Sequence, residues 1–108
     1  MSIVEFASKS LLRGDSIKKT YRGKLDGEQG YITISSQKLL FIKEKGLFKK
    51  TRSVALNLPY SKIENVTLEE KEDIILTEMD GSKHKLTIIE VPVKLVSDSL
   101  KAEMEKNL

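Results

Sequence analysis

With one histidine and no cysteine, the chain has few residues for catalysis or metal binding. His84 lies between Lys83 and Lys85, in phase with Leu86 and Ile88 on one face of an alternating segment. A general base there needs a partner within hydrogen-bond reach, and the sequence offers only scattered Glu and Ser. A multi-histidine metal site, a thiolate zinc site, a disulfide framework and a cysteine nucleophile are excluded outright. The run Glu69-Glu70-Lys71-Glu72-Asp73 gathers carboxylates, but it lacks the alternating spacing and central glycine of a calcium loop. It is expected to be a solvated hairpin tip. Gly14, Gly23, Gly27, Gly30, Gly46 and Gly81 fall at turns or strand positions and form no phosphate-cradling loop. The expectation is a non-catalytic protein without cofactor or metal.

More telling chemistry follows Gly46. Leu47 and Phe48 stand directly beside Lys49, Lys50 and Arg52, with Lys43 and Lys45 just upstream. An apolar tip inside a cationic collar is the composition of an interfacial anchor. The five cations are candidate contacts for an anionic surface, and Leu47 and Phe48 are the candidate wedge. In the competing reading, Leu47 or Phe48 folds back onto the protein and the lysines merely solvate a hairpin. Charge along the chain points the same way as the loop. Residues 1–54 carry twelve Lys and Arg against five Asp and Glu, whereas residues 55–108 carry seven Lys against eleven Asp and Glu. An acidic partner for the basic half is expected unless the fold interleaves the two halves.

These residues need elements to position them, and 108 residues suffice for one domain with a single core. The opening Ile3–Leu12 has apolar residues near helical spacing and is followed by Gly14, so a short helix is expected there. From Ser16 the rhythm becomes two. Ile17, Tyr21 and Leu25 share one face, opposite Lys18, Thr20, Arg22 and Lys24. Further strands are predicted over Tyr31–Ser35, Lys38–Lys45, a segment in which Val54, Leu56 and Leu58 share an apolar face, Ile63–Leu68, Ile74–Met79 and Lys83–Ile89. Pro59 ends the fourth strand or places it at an edge. Asp80-Gly81 predicts a type I′ hairpin turn. Val93, Val96, Leu100 and Met104 then step by three and four along one helical stripe, and Pro92 suits the start of that helix. A seven-stranded sheet in so small a chain is expected to curl into a closed antiparallel barrel capped by the terminal helix. The longest apolar run, Leu39–Ile42, is four residues, far short of the ~18 needed to span a bilayer. No signal peptide is expected at the N-terminus, and the expected location is the cytoplasm, with peripheral attachment to the membrane under the anchor reading.

Seven meandering strands and a C-terminal helix is the order of the pleckstrin-homology (PH) superfold. Residues Gly30–Ile42 (GYITISSQKLLFI) resemble the "G-x-hydrophobic-x-hydrophobic-T-x-x-R-L-hydrophobic-F" segment of its bacterial and archaeal branch, which includes GRAM-like domains. Gly46–Arg52 followed by Leu58–Val66 is similar to that branch's glycine-opened basic loop and "I-P-Y-x-x-I-x-x-V" segment. Lys38 stands where an arginine is usual. The resemblance spans about residues 12–106 and implies one PH-like domain over residues 1–108 that acts as a binding or scaffolding module. Phosphoinositide-binding members carry basic residues around a long first hairpin loop. Here that loop is Asp26-Gly27-Glu28, short and acidic, so the resemblance carries the fold and not that ligand. The expected partner is an anionic lipid surface. The alternative is a protein, including a second copy of the chain, which a PH-like fold can receive between a sheet edge and the terminal helix. Nucleic-acid binding through stacking on Tyr21, Tyr31, Phe41 and Phe48 would suit an OB-fold, but that fold has five strands and a mid-chain helix.

Overall fold

The computed structural model describes residues 1–108. Its elements are α1 (Ile3–Ser8), β1 (Ile17–Leu25), β2 (Glu28–Ser35), β3 (Lys38–Lys45), β4 (Thr51–Pro59), a 3-10 turn (Tyr60–Lys62), β5 (Ile63–Glu69), β6 (Asp73–Glu78), β7 (Lys83–Ile88) and α2 (Val93–Lys106). All strands pair antiparallel in one sheet of order β4-β3-β2-β1-β7-β6-β5.

The sheet curls but does not close, so the expected barrel is corrected to an open, folded sheet. No ladder joins β4 to β5, which remain its two edges. Two features of β4 keep it from closing. Pro59 has no N–H to donate, and the register with β3 skips Ala55, since Phe41 faces Leu56 while Ile42 faces Val54. Such a bulge bends and twists an edge away from a partner. The chain then crosses to the other half of the sheet through the 3-10 turn rather than through a hairpin.

The fold's corner is made by glycines. β1 pairs with β2 along its whole length but with β7 only over Gly23–Leu25. Gly23 and Gly30 face one another there. A Cβ on Gly30 would stand 2.1 Å from the Ile42 carbonyl and 2.8 Å from the Phe41 ring. Only a side chain of hydrogen lets β2 and β3 approach at this bend.

The concave face holds the main core, with Ile32, Ile34, Leu39, Phe41, Ile74, Leu76 and Leu86 under Val96 and Leu100 of α2. The predicted stripe of α2 is therefore the one it buries, with Val93 and Met104 partly covered at its ends. On the convex face, α1 covers a second cluster of Ala7, Leu40 and Ile42, against which Tyr31 and Phe6 pack. This explains the apolar run Leu39–Ile42: both faces of β3 are roofed, so alternation is lost. The helix ends at Ser8, six residues before Gly14. The Ala55 bulge likewise turns Val54 away from the main core and leaves it exposed, against the shared face expected with Leu56 and Leu58.

The type I′ turn falls at the other Asp-Gly pair than expected. Asp26 and Gly27 both have positive φ (49° and 88°), the requirement of a two-residue type I′ turn. At Asp80-Gly81 only Gly81 does, at 91°. Glu78 N donates to Ser82 O and Gly81 N to Glu78 O, at 2.8 and 2.9 Å, which makes a three-residue loop closed by a left-handed glycine.

Sheet order also answers the charge question. The basic half of the sequence forms β1, β2, β3 and the start of β4, and the acidic half forms the uncharged rest of β4 and then β5, β6, β7 and α2. The halves do not interleave, and the polarity of the sequence becomes a polarity of the molecule.

Candidate anionic-surface site

The β3–β4 hairpin ends its ladder at Lys45 opposite Thr51 and closes through Gly46–Lys50. Gly46 adopts φ 108°, and a Cβ there would lie 2.2 Å from the Lys49 carbonyl. That tight closure turns the next two side chains outward. Leu47 is 91% exposed and Phe48 102%. The fold-back alternative for the two apolar residues is thereby set aside, since neither touches the core.

Around this tip the five predicted cations come together, with different degrees of freedom. Lys43 Nζ lies 2.6 Å from Glu28 Oε2 across the β2–β3 ladder. Glu44 receives two cations: Arg52 Nε donates to its Oε2 at 3.0 Å, and Lys50 Nζ lies 3.3 Å from its Oε1. Lys45 and Lys49 have no carboxylate within 4.0 Å. Five cations thus share two carboxylates, and the hairpin keeps a positive surplus centred on Lys45 and Lys49. The Arg52 hydrogen bond, seconded by Lys50, holds the Glu44 carboxyl below its ordinary value of 4.5. The Lys43 hydrogen bond does the same for Glu28, and Glu28 in turn raises the Lys43 ammonium. Both carboxylates remain ionised at neutral pH and order the base of the loop. Arg52 also donates to the Met1 carbonyl, which ties this base to the segment leading into α1.

Sequence reasoning found the cations and the tip but not Glu28 and Glu44 as their partners. The signal was present: pairing the alternating residues on either side of Gly46 places Glu44 opposite Arg52.

Other candidate chemistry disperses. His84 Nε2 lies 2.6 Å from Glu78 Oε2, a pair bridging β6 and β7, and the ring has no other hydrogen-bond partner. No group of three or more His, Cys, Asp or Glu is placed to hold a metal. In the acidic loop, Asp73 accepts from the Thr87 hydroxyl at 2.8 Å and lies 3.7 Å from Lys85 Nζ, so its carboxylate serves the β6–β7 ladder. The four aromatics considered for stacking do not share a face. Phe41 is buried, Tyr21 packs on the main core, Tyr31 lies in the convex-face cluster, and only Phe48 is free. The β1–β2 loop is fastened down: Asp26 N donates to the Lys85 carbonyl at 2.9 Å, and Asp26 Oδ1 accepts from Lys85 N at 3.0 Å. No helix is long and apolar enough to cross a membrane.

Solved structures share this architecture. The chain is similar to the C-terminal domain of an unknown protein from Leishmania infantum, with TM-score 0.71 and 17% identity over 95% of this chain and 98% of that one. It is also similar to the Vps36 N-terminal PH domain, with TM-score 0.67 and 20% identity over 89% of this chain and 84% of that one. These likenesses establish a PH-like fold. No family model and no curated protein matches the chain.

Proposed function

We propose that this protein is a non-catalytic PH-like module that attaches peripherally to anionic membrane surfaces through the β3–β4 hairpin, in the cytoplasm of its cell. The observation that carries this reading is the full exposure of Leu47 and Phe48 inside a collar of five cations. The Gly30–Ile42 and Leu58–Val66 segments support a place in the bacterial and archaeal GRAM-like branch.

Magnitudes set the character of the attachment. Each basic residue beside an anionic leaflet contributes about 1 kcal/mol, and the surplus of three cations gives about 3. Partial insertion of Leu47 and Phe48 adds roughly 3 kcal/mol. A total of about 6 kcal/mol corresponds to dissociation constants of tens of micromolar. One hairpin therefore gives reversible contact and not permanent anchoring, in line with the need for two signals in stable peripheral binding.

The test is co-flotation with neutral and anionic liposomes at low and moderate salt. Wild-type protein is expected to float with anionic liposomes only, less so as salt rises, and Phe48→Ser is expected to remain at the bottom of the gradient. No flotation under any condition contradicts the membrane reading and leaves protein association as the module's function.

A further inference from the structure

A second apolar feature lies at the far end of β4. Tyr60, Ile63, Met79, Met104 and Leu108 line an open groove of about 520 Å³ between the start of β5, the β6–β7 turn and the last turn of α2, with Glu105 at its rim. Pockets of a few hundred Å³ accept ligands of side-chain to drug size. Met79 at 62% and Leu108 at 104% exposure show that the chain does not fill this groove itself.

The molecule thus carries an apolar knob, Leu47-Phe48, and an apolar hole. They flank opposite ends of the same nine-residue strand, about 30 Å apart at the rise of a β-strand. A knob at that distance cannot reach the hole of its own chain, whereas the hole of a second copy is open to it. The charges agree with this pairing. The knob belongs to the basic half of the molecule and the hole to the acidic half; the groove's lining itself carries one cation, Lys101, and one anion, Glu105, the latter a counter-charge for an incoming Lys49 or Lys50. A knob and a hole on different surfaces make a heterologous contact, which propagates head to tail instead of closing as a two-fold dimer.

We propose that, away from a membrane, the Leu47-Phe48 tip of one copy seats in the groove of the next, so that self-association and membrane attachment compete for one hairpin. This rests on the reading of that tip as the contact site and adds its regulation. Free protein forms head-to-tail assemblies that hide the tip, and an anionic surface draws the tip out.

The experiment is sedimentation velocity without lipid, over a range of protein concentrations, beside liposome flotation of the same samples. Wild type is expected to sediment faster as concentration rises. Phe48→Ser, which lacks the knob, and Met79→Asp/Leu108→Asp, which spoils the hole at two exposed positions, are each expected to self-associate at least tenfold more weakly. An equimolar mixture of the two variants has one good knob and one good hole. It should therefore stop at a dimer of twice the 12.2 kDa chain mass. The hole variant is expected to float with anionic liposomes at least as well as wild type. A wild type that stays monomeric at every concentration, a hole variant that associates like wild type, or a mixture that forms no dimer overturns the proposal. Flotation without association refutes this inference alone, whereas loss of both in the wild type refutes the membrane reading as well.

Discussion

Glu44 is the residue on which the proposed site turns, because it holds two of the five cations that would otherwise face an anionic surface. Replacing it with Gln frees Lys50 and Arg52 and adds one unit of charge, worth about 1 kcal/mol at an anionic leaflet. Glu44→Gln is thus expected to tighten binding to anionic vesicles about fivefold in a vesicle titration, whereas Lys45→Glu/Lys49→Glu is expected to weaken it more than tenfold without altering the melting temperature. Acid titration has a definite sign. The folded-state values of Glu28 and Glu44 lie below the ordinary 4.5. The stability they confer is therefore complete above the unfolded value and lost as pH falls through the folded one. Thermal melts should show a flat contribution from these pairs down to about pH 5 and a decline below 4.5. Sequence reading reached these residues unevenly. Lys43, Lys45, Lys49, Lys50 and Arg52 could be named from their place around Leu47-Phe48 in the sequence. Of their partners, Glu44 was legible from pairing the residues on either side of Gly46, whereas Glu28 was not, since its contact with Lys43 depends on the β2–β3 register.

Among the elements, the strand pattern was the most legible part of the sequence, because period-two alternation follows directly from the pleat. The third strand, Lys38–Lys45, was predicted at its observed bounds. Turn types were less legible. Asp-Gly occurs twice, and local sequence does not say which copy has two residues between strands and which has three; cross-strand pairing decides that. Closure was not legible at all, since the expected barrel depends on whether two distant edges meet, and Pro59 with the Ala55 bulge keeps β4 from meeting β5. The glycine corner yields a prediction here. Gly30→Ala would push a Cβ into the Ile42 carbonyl and the Phe41 ring, both of which are fixed by the core. Overpacking of this kind costs about 1–3 kcal/mol or more. The variant is expected to lower the urea midpoint substantially, while Gly27→Ala, whose added Cβ meets nothing within 4 Å, is expected to incur only the smaller cost of a left-handed alanine. Equal losses in the two variants would contradict the corner account. Tyr60 joins two elements in a similar way. Its hydroxyl donates to the Ser35 carbonyl at 2.6 Å. Burial first, then the charges of Glu103 and Asp15, push its ionisation well above the ordinary 10.0. Tyr60→Phe is expected to cost roughly 1 kcal/mol in denaturant unfolding.

For the whole molecule, sheet order turns a polarised sequence into a polarised body. Because β1 is the hinge between β4-β3-β2 and β7-β6-β5, every strand that begins in the basic half lies to one side of it or is β1 itself. The Leu47-Phe48 tip sits at the far end of that side, fully exposed. Both faces of β3 are roofed, and the loop it leads into carries the apolar tip and its cations. The central claim is that Phe48 enters an anionic bilayer, and the composition provides a direct reporter because the chain contains no tryptophan. Phe48→Trp places the sole indole at the tip, and its emission would be followed at sub-micromolar protein, below self-association, during titration with anionic and with neutral vesicles. The account predicts a blue shift and rise in intensity with anionic vesicles, reversed by salt and absent with neutral ones. Emission that stays at its water-exposed wavelength at saturating anionic lipid would contradict it.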